Sequence, residues 1–280
     1  MTILENVQRA EPLALDTLES LMDAAWLSLE QTTSHGWMLR SAGTVTQRAN
    51  SVWPHCSPSE ITPAKLTAAL SAATTWYSQH RQPVIFQIMH REENAALETL
   101  LDEQRYSRQS ETIVMTAPAP APALRAAAEL NNGITIEIST QPSEQWLELW
   151  WSVDGRGGHA ERDIVERILL GTPALYALAV NAQGQPVGTG RLAMPTVDDG
   201  EGWGGLYSIA AHPDARRQGI ASSILQALMR AGRAEGLENY WLLVTSANTG
   251  AQALYAAAGF AEVARYHYRQ APLRRALGAC

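Results

Sequence analysis

The sequence predicts an α/β protein of two domains, and three observations support this prediction. The chain of 280 residues is longer than one average domain, and 46% of its residues are apolar, enough for a core in each half. In the stretch TAPAPAPALRAAAELNNG, Pro118, Pro120 and Pro122 alternate with alanine and favour extended backbone without ladder hydrogen bonds. Strand and helix patterns alternate on both sides of it. We therefore predict domains at 1–117 and 134–280, joined by a linker at 118–133; the alternative is a long loop inside one domain.

The second half alternates between the residue periods of strands and helices. ITIEI predicts a strand at 134–138, because β-branched residues occupy alternate positions. Pro142 suits a first helical turn and Gly171 a helix end, so helices are predicted at 142–153 and 159–170. Asn181 and Gly184 predict the turn of a hairpin between 174–180 and 186–194. The remaining patterns predict strands at 202–211, 239–245 and 262–270, and helices at 220–233 and 250–258.

Charge and composition exclude several classes of partner. The net charge of -7, without any block of basic residues, argues against nucleic acid or an anionic membrane. No apolar run approaches the roughly 20 residues of a membrane span, and we expect neither a signal peptide nor an anchor in the first residues. Cys56 and Cys280 are the only cysteines, so no disulfide framework is predicted, and no metal site is predicted either. We expect a cytoplasmic protein that binds a small molecule or a cationic partner, and the sequence leaves a homodimer open.

The stretch HPDARRQG ends where an amphipathic helix begins at Ile220. A strand that enters a glycine loop and then a helix leaves backbone N–H groups unpaired at the helix N-terminus, where phosphate binds. Gly219 allows the backbone to approach an anion closely, and Arg216 and Arg217 are cations suited to phosphate oxygens. The alternative is a solvated arginine pair before an ordinary helix. The stretch matches neither the P-loop nor the dinucleotide-binding fingerprint.

Two segments resemble the motifs of a known superfamily. SIAAHPDARRQGIASSIL resembles the acyl-CoA-binding motif R-x-x-G-x-A of the GNAT superfamily of N-acyltransferases, with Arg216, Gly219 and Ala221 at the motif positions. SANTGAQALYAAAGF is similar to the second motif of the superfamily, and its matching residues are Asn248, Ala251, Leu254, Tyr255, Gly259 and Phe260. The resemblance covers residues 134–270 and implies a mixed, mostly antiparallel sheet flanked by helices.

The same resemblance implies a site for acetyl-CoA. The pyrophosphate would be held by the Arg216 side chain and by the backbone amides that follow it. The residues of this site are Arg216, Arg217, Gln218, Gly219, Ile220 and Ala221. The main chain of Ile209, Ala210 and Ala211 would pair with the pantetheine arm and polarise the thioester carbonyl.

The second motif would supply the remaining contacts. Asn248, with Ala251 in the same motif, would bind the pantetheine arm, and Tyr255 would lie near the sulfur as general acid. A phenol suits that role, because a thiolate leaving group has a pKa of about 8.5 and tyrosine one of about 10. The alternative for Tyr255 is a packed aromatic of the core.

The general base and the acceptor amine stay open. Many relatives carry a glutamate on the strand before the phosphate loop, whereas this strand has the sequence GGLYS. The candidate bases are Tyr207, His159, Asp154, Glu201, and Ser208 acting through a water. Of these, we take Tyr207 as a catalytic candidate together with the proposed acid, Tyr255. The tryptophans in segments that border the acceptor cleft of similar proteins are Trp146, Trp150, Trp151 and Trp203. The i, i+4 spacing of Trp146 and Trp150 favours a core position for that pair.

The first half is predicted to be a degenerate copy of the second. Its patterns predict helices at 13–31, 63–80 and 94–104, a hairpin at 36–54 and strands at 83–89 and 111–116, the element order of the back end of the same fold. A gapless offset of 154 residues places Asn94 on Asn248 and Lys65 on Gly219, although identity along the segment is no better than chance. Since this loop lacks the arginine pair, we predict that the copy does not bind CoA. Some two-domain GNAT proteins carry a stretch like RANSV at 48–52, which would line the cleft between the halves, but an ordinary exposed strand is favoured here.

These observations predict two tandem GNAT-like domains, of which the second transfers an acetyl group from acetyl-CoA to a primary amine of a small molecule or peptide by direct attack. The alternative is a CoA-liganded sensor or interaction module without transferase activity, which the missing glutamate motivates.

Overall fold

The computed structural model describes residues 13–43, 45–54, 62–120 and 133–272. Cys56, Cys280 and most of the predicted linker lie outside the described residues. Strands and helices alternate along the described chain. The strands are β1 (Glu30–Ser34), β2 (Trp37–Ser41), β3 (Val52–Pro54), β4 (Ile85–Met89), β5 (Ser107–Pro118), β6 (Thr135–Ser139), β7 (Ala174–Val180), β8 (Pro186–Ala193), β9 (Trp203–Ala211), β10 (Asn239–Thr245) and β11 (Ala261–Gln270). The helices are α1 (Leu15–Ala25), α2 (Pro63–Gln79), α3 (Ala95–Glu103), α4 (Glu144–Asp154), α5 (His159–Leu170), α6 (Ile220–Ala234) and α7 (Thr249–Ala257).

All eleven described strands form one mixed sheet with the order β1-β2-β3-β4-β11-β5-β10-β9-β8-β7-β6. The order shows that the two halves exchange their last strands. β5 of the first half pairs antiparallel with β10, and β11 of the second half lies between β4 and β5, antiparallel to both. The predicted α/β class with helices flanking a mixed sheet is confirmed, and the two expected sheets are joined into one.

β5 occupies the middle of this sheet, and its sequence explains why. Ile113, Val114 and Met115 are consecutive and all buried, so both faces of the strand are covered. A continuous apolar run is what a strand covered on both faces requires, in contrast to the alternation of a half-exposed strand.

Most predicted elements of the second half are confirmed within two residues, and β10 spans 239–245 as predicted. Pro142, however, precedes its helix. α4 begins at Glu144 because the hydroxyl of Ser143 caps it, accepting a hydrogen bond of 3.1 Å from the backbone N–H of Trp146.

Two predictions for the first half were wrong. The helix predicted at 13–31 ends at Ala25, and residues 30–34 form β1, which turns into β2 through His35 and Gly36, both with positive φ. The helix stops because tertiary contacts override the apolar pattern: Arg40 donates a hydrogen bond of 2.5 Å to the carbonyl of Trp26, the residue that follows α1. The exposed strand favoured for RANSV is also wrong, since Arg48 lies in a 3-10 turn at 47–49.

α6 packs directly on β8, and two glycines of that strand make room for it. A Cβ atom at Gly190 would lie 2.5 Å from Cγ2 of Ile224, and one at Gly188 would lie 2.6 Å from Cγ2 of Ile220. Any side chain at either position would push α6 away from the sheet. The glycines therefore fix the place of the helix N-terminus relative to β9.

Candidate functional site

β9 and β10 part in the middle of the sheet and leave a wedge between them. Their parallel pairing runs from Asn239–Trp203 to Leu242–Leu206 and ends there. Directly afterwards β9 has a β-bulge at Ser208, whose φ is +53°, and the register against β8 shifts between Thr189 and Arg191. The edge of β9 beyond the bulge is therefore not paired with β10.

The backbone of β9 offers hydrogen-bond donors to this wedge. The N–H of His212, the residue that follows β9, donates a hydrogen bond of 2.9 Å to the carbonyl of Val187 in β8. Because successive residues of a strand direct their N–H groups to opposite edges, Ala210 also faces β8, whereas Ile209 and Ala211 face the wedge. Of the three residues predicted here for pantetheine, two present donors.

The N-terminus of α6 is open to an anion. Arg217 and Gly219 have left-handed backbone with φ of +61° and +79°, and Gly219 caps the helix without a side-chain hydrogen bond. In the described part of the chain, no backbone N–H from residue 217 to residue 222 has a backbone acceptor. Arg216, Arg217 and Gln218 are exposed, and neither arginine has a carboxylate within ion-pair distance among the described residues. Unpaired N–H groups in alternating left-handed and right-handed backbone form a concave anion site.

α7 presents three predicted residues on one face. The carboxamide oxygen of Asn248 caps the helix by accepting a hydrogen bond of 3.1 Å from the N–H of Ala251, and Tyr255 follows one turn later. Tyr255 is half-buried and packs edge-on against Phe260, with 6.2 Å between ring centroids. Burial raises the pKa of Tyr255 above its ordinary value, so the phenol keeps its proton at neutral pH. Its hydroxyl has no hydrogen-bond partner within the described part of the chain.

A cavity of about 380 Å³ lies where the two halves meet. Its floor includes Tyr266, Thr112 and Thr245, which are register neighbours across β11, β5 and β10. The remaining lining residues come from the first-half loop, from α4 and α5 with their connection, and from β5, β9 and β11: Trp26, Val45, Thr46, Gln47, Arg48, Ser110, Trp150, Trp151, Asp154, Gly155, Arg156, Val165, Ser208 and Tyr268. Since Ser208 and Thr245 lie on the two separated strand arms, the cavity and the wedge meet there.

The structure separates the five candidate bases. Ser208 and Asp154 line the cavity, whereas His159 and Glu201 are exposed and outside its lining. Tyr207 is also outside the lining: its ring stacks on Trp26 with 5.6 Å between centroids, and its hydroxyl accepts a hydrogen bond of 3.2 Å from Nε1 of Trp241. Burial raises the pKa of Tyr207, which makes deprotonation at this position unfavourable.

The four tryptophans divide in the same way. Trp150 and Trp151 line the cavity. Trp146 is a core residue whose indole N–H donates to the carbonyls of Ala177 and Gly190, and Trp203 lies outside the lining.

The sequence did not single out several of the lining residues, among them Trp26, Ser110, Thr112, Thr245, Tyr266 and Tyr268. Their signal in the sequence is weak. Ser110 and Thr112, and likewise Tyr266 and Tyr268, alternate with other residues along a strand and so share a face. Only the strand exchange brings the two pairs together.

Within the described residues, no group of three or more His, Cys, Asp or Glu side chains is arranged to hold a metal ion. The same part of the chain has no helix long and apolar enough to cross a membrane.

Comparisons with known proteins point to one superfamily. A family model described as "Probable histone acetyltransferase Rv0428c C-terminal" matches residues 14–269. The "Uncharacterized N-acetyltransferase YobR" of Bacillus subtilis is 26% identical over 255 residues, which is 90% of this chain and 96% of the relative. A GCN5-related N-acetyltransferase from Kribbella flavida has a similar structure, with a TM-score of 0.67 and 16% identity over 94% of this chain and 97% of that one. A tandem GNAT protein from the clavulanic acid biosynthesis pathway has a TM-score of 0.64 and 13% identity, over 95% of this chain and 91% of that one.

Proposed function

Since the chain belongs to the N-acetyltransferase family of that model, within the GNAT superfamily, we propose that it transfers an acetyl group from acetyl-CoA to a primary amine held in the cavity between its halves. The observation that supports this proposal is the meeting of the wedge and the cavity at Ser208 and Thr245. A donor in the wedge and an acceptor in the cavity would then be adjacent, as direct attack requires.

The residues of the second half fit acetyl-CoA. The unpaired N–H groups at the start of α6, with Arg216 and Arg217, form a seat for a pyrophosphate, and the wedge has free N–H groups at Ile209 and Ala211 for the pantetheine arm. Acetyl-CoA, when bound, supplies an activated thioester carbonyl that the amine nitrogen attacks as the C–S bond breaks. The N–H groups of β9 orient and polarise that carbonyl, because their position is fixed by the sheet before any ligand arrives.

Two proton positions complete the proposal. Tyr255 holds a proton at its hydroxyl oxygen, which its raised pKa retains at neutral pH, and donates it to the departing sulfur. The proton of the amine leaves through Ser208 and a water, or to Asp154, since these are the two candidate bases that line the cavity. Tyr207 is the third candidate, less suited because it is buried outside the lining.

We further propose that the second half alone binds CoA and that the first half completes the acceptor site. The first-half helix α2 begins on Thr62, whose hydroxyl accepts a hydrogen bond of 3.2 Å from the N–H of Lys65, and its first residue is Pro63, which has no N–H. That helix start has fewer free donors for an anion. The first half instead contributes Trp26, Thr46 and Arg48 to the cavity.

The test is release of the free CoA thiol from acetyl-CoA in the presence of a panel of primary amines. We expect thiol release that depends on the amine, together with acetylated product detected by mass spectrometry. Tight binding of CoA without thiol release on any amine would contradict the proposal.

A further inference from the structure

We propose that the acceptor is an amine that also carries a carboxylate, and that Arg48 of the first half binds this carboxylate in the cavity. The inference rests on the proposed function, which it makes more specific. It starts from the charges around the cavity: Arg48 and Arg156 are the cations of the lining and Asp154 is its anion. Asp154 and Arg156 are exposed at the rim, whereas Arg48 is half-buried.

The Arg48 guanidinium has no counterion within the described chain. No carboxylate of the described residues lies within ion-pair distance, and its Nε is buried without a hydrogen-bond partner. The groups that interact with its charge are the hydroxyls of Tyr266, Tyr268 and Tyr207, and the Tyr266 hydroxyl lies within hydrogen-bonding reach of the guanidinium. Burial raises the pKa of both Tyr207 and Tyr268, so these two phenols are neutral at physiological pH and supply no negative charge.

A neighbouring arginine shows how this chain neutralises a cation that serves the fold. Arg40 is fully buried, its Nε lies 2.8 Å from the carboxylate of Asp23, and it donates hydrogen bonds to the carbonyls of Trp26 and Arg48. Arg40 therefore has a carboxylate beside it, which Arg48 lacks among the described residues. A buried charge without a partner is strongly unfavourable, so a ligand anion at Arg48 would gain what Arg40 obtains from Asp23.

The surroundings of Arg48 add to the positive potential. Its guanidinium lies 5.3 Å from the ring centroid of Trp26 and 5.5 Å from that of Tyr207. Arg191, which is fully buried, lies 5.9 Å from the Tyr207 ring; its Nη1 donates a hydrogen bond of 3.0 Å to the carbonyl of Ala25, whereas its Nε and Nη2 have no hydrogen-bond partner in the described structure. Two uncompensated cations thus flank one neutral ring, and the cavity beside them favours an anionic ligand group.

A second lining residue has a buried donor without an acceptor. Trp150 is buried to 94%, and its indole N–H is without a partner among the described residues. An indole N–H and a guanidinium can only donate hydrogen bonds, so the ligand has to bring acceptor atoms. A carboxylate on the substrate supplies two oxygens that accept hydrogen bonds. An amine substrate with several positive charges would find only one acidic side chain in the lining, that of Asp154.

The loop that carries Arg48 is held in place before a ligand binds. The Asn50 side chain accepts a hydrogen bond of 2.7 Å from the N–H of Ala42 and donates to the carbonyls of Val45 and Thr46. Arg40 fixes the Arg48 carbonyl itself. A carboxylate at Arg48 would therefore leave the amine of the same molecule directed along the cavity toward Ser208 and Thr245.

The experiment compares free amino acids with their own carboxamides, which keep the amine and lose the carboxylate. Glycine, alanine, lysine, phenylalanine and glutamate are each titrated with their amide counterparts into the protein saturated with CoA, and the pairs are also compared as acceptors by kcat/KM. We expect at least one amino acid to bind and react roughly tenfold or more better than its amide. Equal binding of both forms, or no binding of any of the amino acids, would overturn the inference.

The variant Arg48→Met keeps the apolar stem and removes the charge. We expect it to weaken binding of the carboxylate form roughly 10- to 100-fold and to leave binding of the amide unchanged, whereas Arg48→Lys retains part of the preference. Arg167→Met, on the exposed face of α5 and outside the lining, is the matched control and should retain the wild-type preference. Circular dichroism verifies that each variant is folded. If Arg48→Met does not fold, the comparison of amino acids with their amides on the wild-type protein still tests the inference.

Two outcomes separate this inference from the proposed function. Thiol release with amines but without any preference for a carboxylate overturns the inference and leaves acetyl transfer standing. Preferential binding of the carboxylate form without thiol release supports the inference about the cavity and contradicts the proposed activity. A dipeptide panel then distinguishes a free amino acid from a peptide C-terminus as the source of the carboxylate.

Discussion

The helix starts of α2 and α6 differ in a way that separates the two halves. α6 begins after Gly219 with left-handed backbone and a row of unpaired N–H groups, whereas α2 begins on Thr62 and Pro63, with the Thr62 hydroxyl already bonded to the N–H of Lys65. The first arrangement leaves donors for a ligand, and the second uses them within the chain. The 154-residue offset that pairs Lys65 with Gly219 also fails here, because Thr62 and Gly219 are the residues that cap the two helices.

The same contrast recurs at the next helix, where the offset holds: α3 begins at Ala95 and α7 at Thr249. Asn248 is exposed and caps α7. Asn94, at the matching position, is buried and donates a hydrogen bond of 2.8 Å to the carbonyl of Met89. On one scaffold, the proposed binding half keeps the polar groups of these helix starts exposed, and the proposed supporting half buries or bonds them within the protein.

Gly219→Val should have the largest effect on acetyl transfer, because it changes the helix start that distinguishes the two halves. A β-branched side chain resists the left-handed backbone and projects toward the anion site. We expect CoA affinity to fall more than roughly 100-fold, because at least two charge-assisted hydrogen bonds are lost. Isothermal titration calorimetry measures the effect, with Lys65→Val as the first-half control. Lys65 is exposed, so this change should alter stability by no more than about 0.5 kcal/mol and leave CoA affinity unchanged.

Tyr255→Phe should lower turnover roughly 100-fold and leave CoA affinity unchanged, because the hydroxyl is proposed to act on the departing sulfur. The matched control is Tyr240→Phe. That phenol is buried and donates a hydrogen bond of 2.6 Å to the carbonyl of Met229, so its loss should reduce stability but not turnover. Single-turnover kinetics checks the prediction; wild-type rates in the Tyr255 variant would exclude this residue as the acid.

The two matched asparagines should respond in opposite ways. Asn248→Ala removes a proposed contact to the pantetheine arm and should weaken CoA binding roughly tenfold. Asn94→Ala removes an internal hydrogen bond and should reduce the free energy of unfolding by about 1–2 kcal/mol without a change in CoA affinity. Calorimetry and urea unfolding measure the two effects, and a loss of CoA affinity in the Asn94 variant would mean that the supporting half also binds the cofactor.

Deprotonation of Glu19, a buried carboxyl group of the first half, should change the stability of the protein and leave acetyl transfer unchanged. Burial raises the pKa of Glu19 from 4.5 to about 7, although its pairing with Arg91 acts in the opposite direction. Because the folded state then holds a proton that the unfolded state has released, the stabilisation is complete below pH 4.5 and is lost as the pH rises to about 7. Urea unfolding at several pH values should show this decline in the wild type and its absence in Glu19→Gln.

Local signals explain which parts of the fold could be predicted. In the second half, Gly171 and Gly259 end helices and Asn181 and Gly184 form a turn, so the boundaries follow from the chemistry of single residues. The neighbours of β5 and β11 could not be predicted in this way. An apolar or alternating run indicates a strand, but nothing in it specifies which other strand it pairs with.

The candidate site divides along the same line. The loop at residues 216–221, Asn248 and Tyr255 each lie within a continuous motif. The sequence alone therefore identifies them as candidates for contact with CoA. The cavity joins Arg48 to Tyr266 and Thr112 only after the strand exchange, so its composition depends on contacts between distant segments. For Arg48 the sequence therefore favours an exposed strand over a place in the cleft, whereas the structure gives it a place in the cavity lining.

The number of CoA sites per chain tests the central claim most directly, because the two halves share one scaffold and are proposed to differ in binding. Isothermal titration of CoA into the wild type should give one site per chain, and Gly219→Val should remove that site while Lys65→Val keeps it. Two sites per chain, or one site that survives in Gly219→Val and is lost in Lys65→Val, would contradict the assignment of the binding half and the supporting half.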